Sequence, residues 1–284
     1  MDILSYTFLF LFGTIIGSFL NVVILRYEPG GRFLGRQLLG RSHCPKCGKT
    51  LKWYELIPIA SFALQLGRCR GCGTPISSQY PIIEILGGFI VLTTSMIIAP
   101  GWLAAMWAAA FFILLAASVI DLKHYVIPDA ATIMIALIGV GMTAVEHLGF
   151  TKELAVIPGS FLGGYAYIFS FTENIIIGHI AAALVLGGVF SAIILGTRGK
   201  AMGWGDAKLA AAIGLLLGWP DSILAIMLAF IIGAIIGISM MISKKKKMKD
   251  ALPFGPFIAI GVALVFYFGY QIMVAYFKLL NIGI

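Results

Sequence analysis

Residues 102–129 read WLAAMWAAAFFILLAASVIDLKHYVIPD. The apolar run that opens this stretch is as long as a membrane-spanning helix needs, which is about 20 residues. It stops at Asp121, and Lys123 and His124 follow. An ionised carboxylate costs about 2.5 to 3.5 kcal/mol at the centre of a membrane helix on insertion scales and less near the interface. Asp121 is therefore a candidate functional residue.

The rest of the chain has the same apolar character. Hydrophobic residues make up 60% of the 284 residues, charged residues make up only 11%, and the mean hydropathy is +1.01. A soluble domain carries about 25% charged residues. We therefore predict an all-α polytopic membrane protein with about eight transmembrane helices. The predicted spans are residues 6–25, 82–99, 102–120, 127–147, 175–196, 207–219, 221–242 and 254–275.

Three apolar segments need separate interpretation. Residues 207–219 are short for a span and suit a helix tilted into a thinned or protein-lined region. Residues 154–170 contain Pro158 and several glycines, which predicts a re-entrant or surface segment; the role of residues 148–174 stays open. The first span lacks a basic start and a small-residue cleavage site, so we expect a retained anchor and not a removed signal peptide.

The positive charges predict the orientation, because Lys and Arg accumulate in cytoplasmic loops. With eight spans, all of the 20 Lys and Arg residues except Lys152 and Lys278 fall on one side. The N-terminus should face outward, and residues 26–81 and the loops of both candidate aspartates should face the cytoplasm. The net charge of +8 then reflects topology and anionic lipid, so no nucleic-acid partner is required. The lysine run at 244–249 is interpreted as a stop-transfer anchor in preference to a docking site for an acidic partner.

All four cysteines lie in the first cytoplasmic loop, as two Cys-x-x-Cys pairs. They are Cys44, Cys47, Cys69 and Cys72. This spacing allows two tight turns to present four thiolates tetrahedrally to zinc, and Gly48 and Gly73 permit the backbone to turn. Two disulfides are the alternative, which a reducing cytoplasm disfavours. Four thiolates would complete the coordination shell, so the predicted zinc is structural, and His43 is not favoured as a further ligand.

The domain organisation follows from these features. Residues 1–25 form the first transmembrane helix, residues 26–81 a small cytoplasmic domain that zinc holds together, and residues 82–284 the main membrane domain. The cytoplasmic loop is too small to be stabilised by apolar burial alone. We therefore expect its folding to depend on the metal.

The second candidate carboxylate is Asp206, which closes the tetrad GWGD at residues 203–206. The two glycines would let another backbone, such as a peptide substrate, approach closely. Asp129 differs, because it falls in the first turn of a helix that Pro128 begins, where its charge complements the helix dipole. Lys208 is interpreted as an anchor whose charged end reaches the interface.

Two carboxylates close together at the edge of a bilayer would share a proton. The ionised one can deprotonate a water molecule while the neutral one polarises a scissile carbonyl, which is aspartic protease chemistry. The residues alone leave open that Asp121 and Asp206 are only a helix cap or an interfacial charge.

Several further motifs carry a family resemblance. They are GSFLNVVILR at 17–26, WYELIP at 53–58, GRCRGC at 67–72, YPIIE at 80–84 and LPFGPF at 252–257. Together with the two aspartate motifs, they make the chain resemble the bacterial prepilin peptidases, or type IV leader peptidases, along nearly all of its length. The resemblance implies that Asp121 and Asp206 are the catalytic aspartates and that Asp129 is not, which makes residues 82–284 the peptidase domain.

The resemblance also implies a substrate class and a location. Prepilin and pseudopilin precursors would lose a basic leader on the cytoplasmic side of the bacterial inner membrane. Many members of the family also methylate the new N-terminal amine with S-adenosylmethionine. No glycine-rich dinucleotide-type fingerprint is present, so the methyl-donor site is not assigned.

Two other classes of protein were weighed. A presenilin-like protease shares the Gly-x-Gly-Asp tetrad, but it would carry a Tyr-Asp and a Pro-Ala-Leu motif, whereas Ile120 precedes Asp121 here. A transporter with a carboxylate proton relay would be expected to show broken spans and internal repeats, and no convincing repeat is found.

Overall fold

The computed structural model describes residues 2–31, 33, 35, 40–98, 101–147, 174–244 and 251–279. Within these ranges the regular secondary structure is α-helical apart from two isolated β-bridges and a short 3-10 turn at Trp53–Glu55. The prediction of an all-α protein is confirmed. The α-helices are α1 (Ile3–Leu25), α2 (Ala60–Leu64), α3 (Gln79–Ile97), α4 (Gly101–His124), α5 (Asp129–His147), α6 (Ile175–Thr197), α7 (Trp204–Leu217), α8 (Asp221–Ile242) and α9 (Gly255–Leu279).

Each of the eight predicted spans coincides with one of these helices. Six of the described helices are long and apolar enough to cross a membrane, namely α1, α3, α4, α6, α8 and α9. Helix α5 is apolar over a shorter length, and α7 has only 14 residues. The chain is therefore a multi-pass membrane protein, while the count of eight spans stays a prediction. Residues 154–170 and all but the first lysine of the 244–249 run lie outside the described residues.

The chain forms two compact units, Met1–Phe112 and Ile113–Ile284. In the first unit, α1 packs along α3. Glycines form this contact: a Cβ on Gly13 would overlap the carbonyl oxygen of Gly87, and one on Gly17 would lie 2.7 Å from the carbonyl oxygen of Ile83. Small residues let membrane helices approach closely, since lipid itself provides no hydrophobic force between them.

Buried polar side chains add specific links within the first unit. The Asn21 amide of α1 donates to the carbonyl oxygen of Tyr80 at 3.2 Å, which joins α1 to the start of α3. The Glu84 carboxylate of α3 accepts a hydrogen bond from the Ile59 N–H at 2.7 Å, just before α2 begins. The cysteine-bearing loop is thereby fastened to α3.

In the second unit, α7 packs against α5 and α6, and α8 packs against α9. The contacts are again made at glycines. A Cβ on Gly139 would lie 2.5 Å from the carbonyl oxygen of Leu215, and one on Gly214 would lie 2.5 Å from the Ala183 nitrogen. Most of α7 is buried, including Leu209, and this enclosure by protein accommodates a helix too short to span a bilayer alone.

Three contacts bring helix ends together at one end of the second unit. Asp121, in the last turn of α4, bonds to the first residue of α9, and Lys208 of α7 pairs with Asp129 at the start of α5. Ile127, between α4 and α5, contacts Gly205 of α7. The two candidate aspartates therefore lie at the same end of this unit, as the span assignment predicted.

Candidate active site

Asp121 is held in a buried position at the end of α4. Its side chain is 4% exposed, and its Oδ2 accepts a hydrogen bond of 2.9 Å from the Gly255 N–H. The helix ends three residues later. Tyr125 adopts a positive φ of 55° and donates its N–H to the Asp121 carbonyl oxygen at 2.8 Å, which turns the chain away from the helix axis.

Asp206 lies in the first turn of α7 and is half-buried. Its Oδ2 accepts from the Gly203 N–H at 3.1 Å, while its own N–H donates to the Gly203 carbonyl oxygen at 3.1 Å. These reciprocal bonds close the first turn of the helix. Asp206 therefore caps the helix, and these hydrogen bonds fix the position of its carboxylate.

The structure places Asp121 on α4 and Asp206 on α7, at the same end of the second unit. Ile127, in the loop that follows α4, contacts Gly205, the residue directly before Asp206. Asp121 is buried and Asp206 is half-buried, so charges at these positions are screened less than at a free surface. The action of the two carboxylates as a catalytic pair stays a prediction.

One glycine of the GWGD tetrad, Gly205, is required by the packing of the chain itself. A Cβ on Gly205 would lie 3.3 Å from the Ile127 Cβ, so this glycine makes room for the loop between α4 and α5. Ile127 of that loop thus packs against the first turn of α7. Trp204, between the two glycines, is exposed.

Asp129 is separate from the aspartate pair. Its carboxylate is exposed and forms an ion pair of 2.7 Å with the Lys208 ammonium, two residues beyond Asp206. It lies in the first turn of α5, as predicted. The sequence predicts Lys208 as an interfacial anchor and does not reveal Asp129 as its partner. The one available signal is that the sequence places both Asp129 and Lys208 near helix starts on the same side of the membrane.

The four predicted metal ligands form one cluster in the first unit. Their sulfur atoms all lie within 4.8 Å of one another, with Cys44 Sγ 3.9 Å from Cys72 Sγ and Cys47 Sγ 4.0 Å from Cys69 Sγ. A tetrahedral zinc with Zn–S bonds of about 2.3 Å needs sulfurs about 3.8 Å apart. All four cysteines are free thiols, so the cluster can bind a metal such as zinc and the disulfide alternative is not adopted.

Two matching turns build the cluster. Gly48 donates to the Cys44 carbonyl oxygen at 2.9 Å and Gly73 to that of Cys69 at 2.8 Å, and these glycines have φ values of 69° and 70°. The predicted reason for a glycine after each pair is thus confirmed. A third glycine matters as well, since a Cβ on Gly71 would lie 3.3 Å from the Cys47 sulfur.

Hydrogen bonds at the turns favour the thiolate form, which binds metal, at two of the four cysteines, Cys44 and Cys72. At Cys47 the Lys49 amide lowers the pKa, but burial and hydrogen bonds with the other thiols raise it to about 11. The amides of Cys47 and Lys46 lower the pKa of the Cys44 thiol, and the side chain and backbone of Thr74 lower the pKa of Cys72 to about 6. His43 lies outside the cluster, with its Nδ1 3.4 Å from the Arg41 carbonyl oxygen.

An ion pair between the buried Glu55 and the half-buried Lys49 supports the same loop. The Glu55 carboxylate bonds to the Lys52 N–H at 2.9 Å and to the Lys49 ammonium at 3.0 Å. These two bonds, in that order, lower the pKa of Glu55, so the carboxylate stays ionised at neutral pH.

The helices define a class of protein, the multi-pass membrane proteins, and the two aspartates at one end of the second unit are candidates for peptidase chemistry. Comparison with known families identifies the group within that class. The model of the type IV leader peptidase family matches residues 108–238, and that of the bacterial Peptidase A24 N-terminal domain matches residues 11–98. The chain belongs to the type IV leader peptidase family.

Curated relatives agree with this assignment. The chain is similar to a prepilin leader peptidase/N-methyltransferase of Aeromonas hydrophila, with 31% identity over 90% of this chain and 88% of the relative. Proteins of the same name from Burkholderia pseudomallei and Pseudomonas aeruginosa are each 29% identical over 94% of this chain, covering 86% and 92% of their own lengths. No solved structure matches the chain.

Proposed function

We propose that this protein is a prepilin peptidase in which Asp121 and Asp206 cleave the leader peptide from type IV prepilins and pseudopilins. The observation that carries the proposal is that these two aspartates lie on separate helices at one end of the second unit, where Ile127 contacts Gly205 beside Asp206 and Asp121 bonds to Gly255. Family membership and the names of the relatives support the same reaction.

The chemistry needs one proton shared between two acids. Two carboxylates that close on one scissile bond do not both ionise, so one removes a proton from the attacking water and the other, protonated, polarises the scissile carbonyl. The proton then passes to the leaving amine as the peptide bond breaks. The backbone bonds from Gly255 and Gly203 hold the two carboxyl groups in place for these transfers.

The site faces the cytoplasm in this proposal. The support is the distribution of positive charge, in which nearly all Lys and Arg residues fall on the side that carries both aspartates. A basic leader on the cytoplasmic side can then reach the site. The protein is placed in the bacterial inner membrane.

The proposal includes a second activity and a structural metal. N-methylation of the new N-terminus, with S-adenosylmethionine as donor, is supported by the names of the relatives, and no donor site is assigned. Zinc held by the four cysteines would cross-link the two turns of residues 26–81 without a catalytic role, since four thiolates fill its coordination shell. Residues 82–284 then form the peptidase domain.

The test uses the full chain in lipid nanodiscs with a purified prepilin, and mass spectrometry of the mature N-terminus. We expect one cut at the leader junction, and loss of at least about a thousandfold in rate for Asp121→Asn and for Asp206→Asn. Asp129→Asn is the matched control, since the same change is made at an exposed acid of the same end.

Each other result points elsewhere. Near-normal cleavage by either of the first two variants contradicts the catalytic assignment. Cuts within the apolar segment of the substrate would indicate a presenilin-like protease, and intact substrate with wild-type protein would favour the transporter. The mass of the mature N-terminus also reports whether a methyl group was added.

A further inference from the structure

The sequence LPFGPF at residues 252–257 has no role in the chemistry so far, although it forms the start of α9. Gly255 is the first residue of the helix, and Pro256 has no N–H. The N–H groups of Phe257 and Ile258 both point at the Phe254 carbonyl oxygen, at 3.0 and 3.1 Å. Gly255 therefore carries the first-turn N–H that is left for an acceptor outside the helix.

That N–H is used by the site. It donates to Asp121 Oδ2 at 2.9 Å in a buried contact between α9 and α4. A backbone N–H bonded to a carboxylate is a charge-assisted hydrogen bond, stronger and more directional than a neutral one. The second oxygen of Asp121 is then the one that can meet a water molecule.

Only glycine permits this contact. A Cβ on Gly255 would lie 2.9 Å from Asp121 Oδ2 and 3.4 Å from the Asp121 Cβ. Real Cβ atoms do not approach other atoms as closely as 2.9 Å, so any larger residue must displace either the carboxylate or the start of α9. The φ of Gly255 is not in the left-handed region, so space and not backbone conformation is the reason for the glycine.

Aromatic packing fixes the turn that carries this N–H. The ring of Phe254 lies 4.8 Å from that of Phe230 in α8, 6.1 Å from Phe190 in α6 and 6.2 Å from Phe257 in α9. Phe190 is fully buried. Three helices thus hold Phe254, and the adjacent N–H has little freedom to move.

We propose that Gly255 is a positioning residue of the peptidase: its N–H orients the Asp121 carboxylate for attack by water, and the Phe254 cluster holds that N–H in place. This inference rests on the proposed function and deepens it, because it gives the unassigned motif a part in the same site. Gly255 acts through Asp121 and makes no contact with substrate in this proposal.

The experiment measures kcat and KM of Gly255→Ala for prepilin cleavage. A displacement of about 1 Å at a reacting group can cost about a hundredfold in rate, so we expect kcat to fall by roughly that factor with KM within about twofold. The matched control is Gly261→Ala in the same helix, where a Cβ would overlap the Ala225 carbonyl oxygen far from Asp121. It should lower the Tm while the kcat of the folded protein stays near the wild-type value.

A double-mutant cycle measured by Tm separates the effect of the Gly255–Asp121 contact from a general loss of stability. Asp121→Ala removes the carboxylate oxygen that would lie 2.9 Å from the added methyl group and leaves the Cβ at an ordinary contact of 3.4 Å. Gly255→Ala should therefore lower the Tm clearly in the wild-type background and little in the Asp121→Ala background. This cycle needs no peptidase activity, so it tests the contact even if wild-type protein leaves prepilin uncut, the result that would contradict the proposed function alone.

Phe254→Leu extends the test in case Gly255→Ala does not fold. Loosening the turn should lower kcat by an intermediate factor, with KM again unchanged. The inference is overturned if Gly255→Ala, or Phe254→Leu where the former is unfolded, keeps kcat within about threefold. It is also overturned if both glycine variants lose kcat in equal proportion to their loss of Tm.

Discussion

Replacing Glu84 with Ala should release α2 and the adjoining part of the cysteine loop from α3. The contact that would be lost is the 2.7 Å hydrogen bond from the Ile59 N–H to the Glu84 carboxylate. Glu84 itself is buried, whereas Ile59 is half-buried at the start of α2. The bond therefore links a helix of the first unit to a loop that has little apolar area of its own.

The size of the effect follows from the chemistry of the bond. A hydrogen bond to a charged group contributes about 1.5 to 3 kcal/mol, and each 1.4 kcal/mol changes an equilibrium tenfold. Opening of this segment should thus become about ten- to a hundredfold more frequent in Glu84→Ala. Glu84→Gln keeps an oxygen acceptor without the charge, so its effect should stay below about tenfold.

A substitution at Ile59, on the other side of the same hydrogen bond, should make opening of this segment less frequent. It has φ 61° and ψ −53°, a conformation that a β-branched residue adopts only under strain, at a cost of about 1 to 3 kcal/mol. Glycine tolerates this conformation, so Ile59→Gly should make opening less frequent, by about fivefold for each kcal/mol of strain relieved.

Hydrogen exchange on the intact protein in nanodiscs measures these changes. The reporting amides are those of Ser61, Ala63 and Gln65, which bond within or next to α2, and amides in the middle of α3 serve as the internal reference. Metal content should be equal in all variants. Equal exchange of α2 in Glu84→Ala and wild-type protein would refute the role of this bond.

Three further predictions concern the metal, the exposed ion pair and the helix packing. Metal analysis should find about one zinc ion per chain. The Cys44→Ser variant should lose this zinc, and its amides in the two cysteine turns should exchange hydrogen faster. Free thiols without bound metal in the wild-type protein would contradict this prediction. Asp129→Asn and Lys208→Gln should each change stability by no more than about 1 kcal/mol, because their ion pair is solvent-exposed; a larger loss of Tm would show that the pair is more than an exposed contact. Gly214→Ala should lower the free energy of unfolding by about 1 to 3 kcal/mol, because the added Cβ would meet the α6 backbone. Gly178→Ala, at an open position, should leave the stability unchanged. Equal Tm values for the two variants would contradict this helix packing.

The helices could be predicted because the bilayer imposes a length and a composition on each of them. A run of about 20 apolar residues is a property of the chain alone, which is why all eight predicted spans coincide with helices. Helices α5 and α7 show the limit of this reasoning. Their lengths do not show how far each crosses the membrane, since α7 depends on its neighbours for burial.

The candidate sites also have a part that the sequence predicts and a part that needs the structure. Two aspartates at the ends of apolar runs, and four cysteines at metal spacing, are local patterns that point to their chemistry without a structure. The partners of the carboxylates, in contrast, could not be found from the chain alone. Gly255, the Ile59 N–H and Lys208 each meet a carboxylate that lies far away in the sequence.

The amino-acid sequence by itself determined that this is a helical membrane protein, which side of the bilayer its charges favour, and which acids and thiols are candidates for chemistry. Only the tertiary structure decided that Asp121 accepts a hydrogen bond from Gly255, that Gly205 leaves room for Ile127, and that Asp129 forms an ion pair with Lys208. The physical reason is range. Hydropathy and turn spacing act over a few consecutive residues, whereas these contacts depend on how closely glycine-faced helices pack, to a few tenths of an ångström.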